Sequence, residues 1–204
     1  MREVLAILLG TNALFLPDAS GPVRAGDREQ FLGMKQLKGA GTFKISTETG
    51  HPPCWLSEKD SDTSFAPQNI VDIDFAVRAN TRYRCWVYVG GCCVETMSFY
   101  YQGSDLTVRS PRDAGKQLSI EPGSRCADSA RIAIPGLEKT HQGGPKEPSH
   151  WEWIEIPLRE FARPGEKKVR LLTDQKGFAV ACAVVSSMRS SPPTPEELKK
   201  LGKP

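Results

Sequence analysis

Asp72 and Asp74 are one residue apart in the segment Ile70-Val71-Asp72-Ile73-Asp74-Phe75-Ala76-Val77. On a strand, both carboxylates point to one face, roughly 7 Å apart. Paired carboxylates can do acid–base work or hold calcium. The leading catalytic reading is therefore a small hydrolase using Asp72 and Asp74, and calcium is the one ion with a candidate seat. The competing reading is a solvated strand face. Glu152 and Glu155 fall on opposite faces of their own segment and make no such pair. The chain has no G-x-S-x-G, no H-E-x-x-H and no phosphate-binding glycine loop. A Cys92–His141 couple and a role for His150 beside Trp151 have no supporting spacing. Cys54, Cys85, Cys92, Cys93, Cys126 and Cys182 contain no C-x-x-C, and with His51, His141 and His150 they show no zinc-ligand spacing. The expectation is a non-catalytic protein with no cofactor, calcium aside.

The aromatics carry a better case for binding. Trp86 and Tyr88 alternate with Cys85 and Val87, on the same side as Arg82 and Arg84. Trp151 and Trp153 alternate with Glu152 and Ile154. An indole offers a flat apolar face that stacks on the C–H face of a sugar, and its N–H adds a donor. Trp151, Trp153, Trp86, Tyr88 and Arg84 are therefore the candidate ligand-binding residues. The alternative is that these rings pack inside the fold or lie under arginine stems.

Such side chains need strands to hold them. In Ile70–Val77, Val71, Ile73, Phe75 and Val77 share one face. In Tyr83–Val89, Tyr83, Cys85, Val87 and Val89 do. The short polar link 78–81 between them predicts an antiparallel hairpin. Gly90-Gly91 ends or bulges the second strand. Further strands are expected over 94–101, 151–158 and 168–173, and Phe178–Ser186, apolar on both faces, reads as a central strand. Arg163-Pro164-Gly165-Glu166 is a turn. With 16 Pro and 18 Gly spread along 204 residues, the pattern predicts an all-β antiparallel sandwich of about eight to ten strands, helix being confined to the termini.

These segments resemble the galactose-binding-like β-sandwiches, in particular carbohydrate-binding modules of the family six and family thirty-five type and malectin-like domains. The likeness lies in Tyr83-Arg84-Cys85-Trp86-Val87-Tyr88-Val89, then Trp151 to Leu158, Pro164-Gly165, Val169-Arg170-Leu171 and the final strand Phe178 to Ser187. It implies a jelly-roll sandwich that serves as an accessory module of a secreted protein and binds carbohydrate. Sugar-binding members often carry an Asn or Asp on or beside the last strand. Here that stretch is Ala-Val-Ala-Cys-Ala-Val-Val, so the resemblance implies the fold more firmly than the ligand.

Residues 1–25 read as a signal peptide, with Arg2, the apolar run Val4–Leu16 and the small-residue approach to Gly26. The alternative places Val4–Leu16 inside the fold. The sandwich is expected over 26–189, followed by a Pro-rich tail, 190–204, with a short helix opened by Thr194-Pro195-Glu196-Glu197. Export, to a secreted or periplasmic location, would permit a disulfide between two of Cys54, Cys92, Cys93 and Cys126. The expected partner is a carbohydrate, a cell-envelope component or a neighbouring protein domain, with a structural protein–protein module as the second reading. A net charge of +3 without a basic run argues against nucleic acid, and no apolar run is long enough to span a bilayer.

Overall fold

The computed structural model describes residues 28–48, 51–60, 69–91, 98–103, 130–133, 148, 150–156, 158, 160–173 and 175–200. Their strands are β1 (Glu29–Gly33), β2 (Lys38–Ala40), β3 (Phe43–Ser46), β4 (Cys54–Ser57), β5 (Asn69–Val77), β6 (Thr81–Arg82), β7 (Arg84–Gly91), β8 (Ser98–Gly103), β9 (Ala130–Ala133), β10 (His150–Ile156), β11 (Glu160–Phe161), β12 (Gly165–Thr173) and β13 (Ala179–Ser186). A 3-10 turn covers Met34–Gln36, and the one α-helix among the described residues, α1, spans Pro195–Lys200. This is an antiparallel β-sandwich. The thirteen strands among the described residues exceed the eight to ten expected, because β2, β6 and β11 have only two or three residues, too few to show a period of two. No helix of the described residues is long and apolar enough to cross a membrane.

The first sheet has the order β10-β7-β13-β4-β3. β1 also pairs with β13, along Cys182–Ser186, while β4 takes Ala179–Val180. The second sheet has the order β2-β5-β12-β8-β9. Alternation explains the core. Val71, Ile73, Phe75 and Val77 of β5, with Val169 and Leu171 of β12, face Cys85, Val87, Val89, Ile154, Ile156, Val180, Ala183 and Val185 across the sandwich. All eight residues of β13 are buried, as a strand apolar on both faces requires.

The expected hairpin is not formed. β5 pairs with β12 and β2, whereas β7 pairs with β10 and β13 in the other sheet. Residues 78–83 therefore make a corner between layers. Asn80 adopts φ 52° there, and its N–H donates to the Phe161 carbonyl at 2.8 Å. The Tyr83 hydroxyl accepts from the Arg78 N–H at 3.1 Å. Both strands point their apolar residues inward, so alternation cannot separate a hairpin from a corner.

Two buried polar side chains tie the layers. Gln30 of β1 donates to the Ala76 carbonyl and accepts from its N–H, at 2.5 and 2.9 Å. This side chain therefore imitates a strand pairing between sheets. Asn69 of β5 accepts from the Thr42 N–H and hydroxyl and donates to the Ser57 hydroxyl and the Lys59 carbonyl.

The tail is fastened to the sandwich. Arg189 binds Glu29 of β1 at 3.0 Å and Glu197 of α1 at 3.1 Å. The expected capping box is present. The Thr194 N–H donates to Glu197 Oε2 at 2.8 Å, and the Glu197 N–H donates to the Thr194 hydroxyl at 3.3 Å.

Cys54 corrects one disulfide expectation. It carries a free thiol, as do Cys85 and Cys182, and all three are buried. Instead of standing in a loop, Cys54 opens β4 and packs on Ala179 and Ala181 of β13. Burial pushes each of the three thiols up to about 12. Cys92, Cys93, Cys126, His141 and the signal-peptide segment lie outside the described residues.

Candidate functional site

The register of the first sheet fixes its outer face. Across the strands, Trp151 stands beside Gly90, Trp153 beside Tyr88, and Glu155 beside Trp86. On the other side of β7, Cys182 lies next to Tyr88 and Val184 next to Trp86. The parity read from the sequence holds: Ile154 and Ile156 enter the core, and the tryptophans of β10 turn outward.

Those aromatics form a stacked column. Tyr88 and Trp153 have ring centroids 4.9 Å apart, and Tyr88 and Trp151 5.4 Å, each pair tilted by 33°. His51 continues it, 6.0 Å from Trp151 at 32°. Centroid separations of this size, with tilts of about 30°, are within the range of aromatic ring contacts. No ring contact joins Trp151 to Trp153 among the described residues, so the indoles flank Tyr88.

Small residues let Trp151 lie down. A Cβ on Gly90 would stand 2.8 Å from Cδ2 and Cε2 of its indole. Cys54, Ala179 and Ala181 make the floor, on which Leu56, Tyr88 and Trp151 pack. Trp151 Nε1 is buried with no hydrogen-bond partner among the described residues. This indole therefore offers no N–H to a ligand. Burial raises the Tyr88 phenol above its ordinary value, and Cys182 and Glu152 add to the shift. It stays protonated.

His51 is fixed from both nitrogens. Nδ1 lies 2.8 Å from the Pro52 carbonyl, to which it can only donate, and Nε2 lies 3.3 Å from Ser46 Oγ.

Toward the other end of β7 the face becomes charged. Arg84 Nε is 3.8 Å from Glu155 Oε1, both side chains being well exposed. Arg84 Nη1 also donates to the Ser190 carbonyl at 3.0 Å. Trp86 is only 2% exposed and offers no face to a ligand. The structure thus brings together Trp151, Trp153, Tyr88 and Arg84 on one face, with Trp86 buried within it. His51 was not legible as a member, because nothing in its local sequence aligns it with β10. The paired glycines at 90 and 91 carried the only sequence signal that a side chain crosses there.

Asp72 and Asp74 share the outer face of the second sheet, as their spacing requires, and both are ion-paired. Arg170 holds Asp72 through two bonds, at 2.7 and 3.0 Å, and Lys168 adds a third at 3.1 Å. Asp74 pairs with Lys38 at 2.7 Å and Lys168 at 3.6 Å. Burial alone would raise the Asp72 carboxyl, but Arg170 and Lys168 outweigh it and hold it below its ordinary value. A carboxylate so held cannot serve as a protonated acid near neutral pH. Among the described residues no group of three or more His, Cys, Asp or Glu side chains could hold a metal ion.

No family model matches the sequence, and no curated protein matches it either. Solved structures do resemble the fold. One is the GH26–CBM35 β-(1,4)-mannanase of Podospora anserina, at TM-score 0.47 and 5% identity, over 82% of this chain and 29% of that chain. A second is the C-terminal CBM6 of the laminarinase LamC from Zobellia galactanivorans, at 0.46 and 6%, over 78% and 98%. A third is the module CBM6cm-2 of Cellvibrio mixtus lichenase 5A, solved with cellotriose, at 0.43 and 10%, over 78% and 97%. The second and third are modules of a kind named by the sequence resemblance, the first is an enzyme whose name includes one, and at such identities and TM-scores none carries a residue role across.

Proposed function

We propose that this domain is a non-catalytic carbohydrate-binding module of an exported protein, and that its ligand sits on Trp153 beside Arg84 and Glu155. The observation that carries this reading is the edge of the stacked column. Trp153 is an indole braced on one side by Tyr88, on an edge strand, with an exposed cation–carboxylate pair at hand. A sugar ring asks for that combination: a flat apolar face for its C–H surface, and charged donors and acceptors for its hydroxyls. The apolar run Val4–Leu16 fits a secreted or periplasmic location, where polysaccharides and envelope glycans lie.

A glycan array on the purified chain tests the proposal. Binding is expected to a restricted set of glycans, to be lost in Trp153→Ala and weakened in Glu155→Gln, with far-UV circular dichroism unchanged in both. Failure to bind any glycan would sink the carbohydrate reading in favour of a protein–protein module. Binding that survives Trp153→Ala at full strength would move the site elsewhere on the sandwich.

A further inference from the structure

We infer that the site selects uncharged glycans, and that Glu155 is the residue that turns acidic ones away. This rests on the carbohydrate reading above and adds the class of sugar taken. The register fixes which charges a ligand on this face can meet. On β10 the outward positions are Trp151, Trp153 and Glu155, and across from them on β7 stand Gly90, Tyr88 and Trp86. Arg84 is the next outward residue of β7. On β13 the neighbours of Tyr88, Trp86 and Arg84 are Cys182, Val184 and Ser186. Among these positions Arg84 is the one cation and Glu155 the one anion.

That cation is already engaged. Arg84 Nε faces Glu155 Oε1 at 3.8 Å, and Nη1 donates to the Ser190 carbonyl at 3.0 Å. A bidentate grip on a carboxylate or sulfate takes two neighbouring guanidinium nitrogens. Nη2 is the one without an acceptor among the described residues, and either nitrogen it could grip with is committed. A single nitrogen suits a hydroxyl. The next cation toward the tail, Arg189, is held between two carboxylates, Glu29 and Glu197, at 3.0 and 3.1 Å. Glu29 shares a cross-strand row with Arg84 through Ser186. An anionic sugar on Trp153 would therefore meet Glu155 with no uncommitted cation to offset it, whereas a neutral ring meets a matched pair. Like charges brought together in this way discriminate between ligands of the same shape.

Isothermal titration of the full chain tests this. The probes are trimers of glucose, galactose and mannose, the matching uronate trimers, and the methyl esters of those uronates, which differ from them only in charge. At about 10 mM salt, where screening is weak, the best-bound uncharged trimer is expected to bind about fivefold or more tightly than any uronate, and each ester more tightly than its acid. The gap should shrink at about 0.15 M salt. It should also shrink to about twofold or less in Glu155→Gln, although neutral binding weakens there, and persist in Glu155→Asp. A uronate that binds as tightly as its ester, or a gap that Glu155→Gln leaves unchanged, overturns the inference and leaves the carbohydrate reading standing. No binding of any trimer overturns both.

Discussion

Gly90→Ala isolates the contact that seats the aromatic column. Gly90 has no left-handed backbone angle, so alanine meets no backbone strain there. By lowering the entropy of the unfolded chain it would by itself stabilise the fold by about 0.4–1 kcal/mol. The space above it decides otherwise. The new Cβ would stand 2.8 Å from Cδ2 and Cε2 of Trp151 and 2.9 Å from Cε3. These atoms belong to the rigid indole, so the ring must lift by roughly 0.6–1 Å to reach an ordinary contact. Overpacking of this kind costs about 1–3 kcal/mol, more than the entropic gain.

The net expectation is destabilisation by about 1–2 kcal/mol, a fall in melting temperature of roughly 2–8 °C for a chain of this size. A double-mutant cycle with Trp151→Ala, measured by urea denaturation, separates the contributions. In the Trp151→Ala background the clash is gone, and Gly90→Ala should become neutral or stabilising. An equal cost in both backgrounds would refute the reasoning, because it would place the penalty in the strand ladder rather than in the ring. Lifting Trp151 also disturbs Tyr88 and so the support behind Trp153, so glycan binding should weaken in Gly90→Ala alone.

Three further outcomes are expected. Asp72→Asn strips a guanidinium, itself only 12% exposed, of its bidentate partner, and should cost roughly 2–3 kcal/mol in chemical denaturation, between the exposed and buried limits for ion pairs. Because the folded Asp72 carboxyl is held below its unfolded value, this contribution is complete above the ordinary carboxylate range and is lost as pH falls through the depressed folded value. Wild-type stability should therefore show an acid-side loss that Asp72→Asn lacks. Glu197, held down to about 2 by Arg189 and Thr194, keeps the tail fastened until pH falls through that value, and Glu197→Gln should speed hydrogen exchange at the Thr194 and Glu197 amides near neutral pH. Cys54, Cys85 and Cys182, with thiols at about 12, should resist alkylation at pH 8 in the folded chain and react once it is unfolded.

Period-two patterning made the inner faces legible. Val71 to Val77 and Tyr83 to Val89 project as their alternation requires, and the apolar run of β13 lies where a doubly buried strand must. What alternation cannot encode is which sheet a strand joins, and so β5 and β7 read as a hairpin although a corner separates them. Outward-facing aromatics were harder still. Trp86 and Tyr88 occupy the same face at the same spacing, yet one is buried and the other is half-buried in the column. Their equal spacing gives no sign of that difference. Cys54 read as a loop thiol, since β4 is too short to announce itself. Gln30 and Asn69 carry no pattern at all, because a polar residue that fastens two layers looks like any polar residue in a short strand.

The charged end of the outer face is tied to the tail, and Arg84 is the link. The chain leaves β13 at Ser186, whose hydroxyl accepts from the N–H groups of Met188 and Arg189 and turns the backbone back. Arg189 then reaches Glu29 and Glu197, and Arg84 secures the same segment by donating to the Ser190 carbonyl. With Nη1 committed to the tail, the guanidinium of Arg84 is held in one orientation, Nε toward Glu155. A polar group already ordered before a ligand arrives loses less conformational freedom on binding. The Pro-rich tail thus positions one wall of the proposed sugar site, while the small-residue floor beneath Trp151 positions the aromatic one.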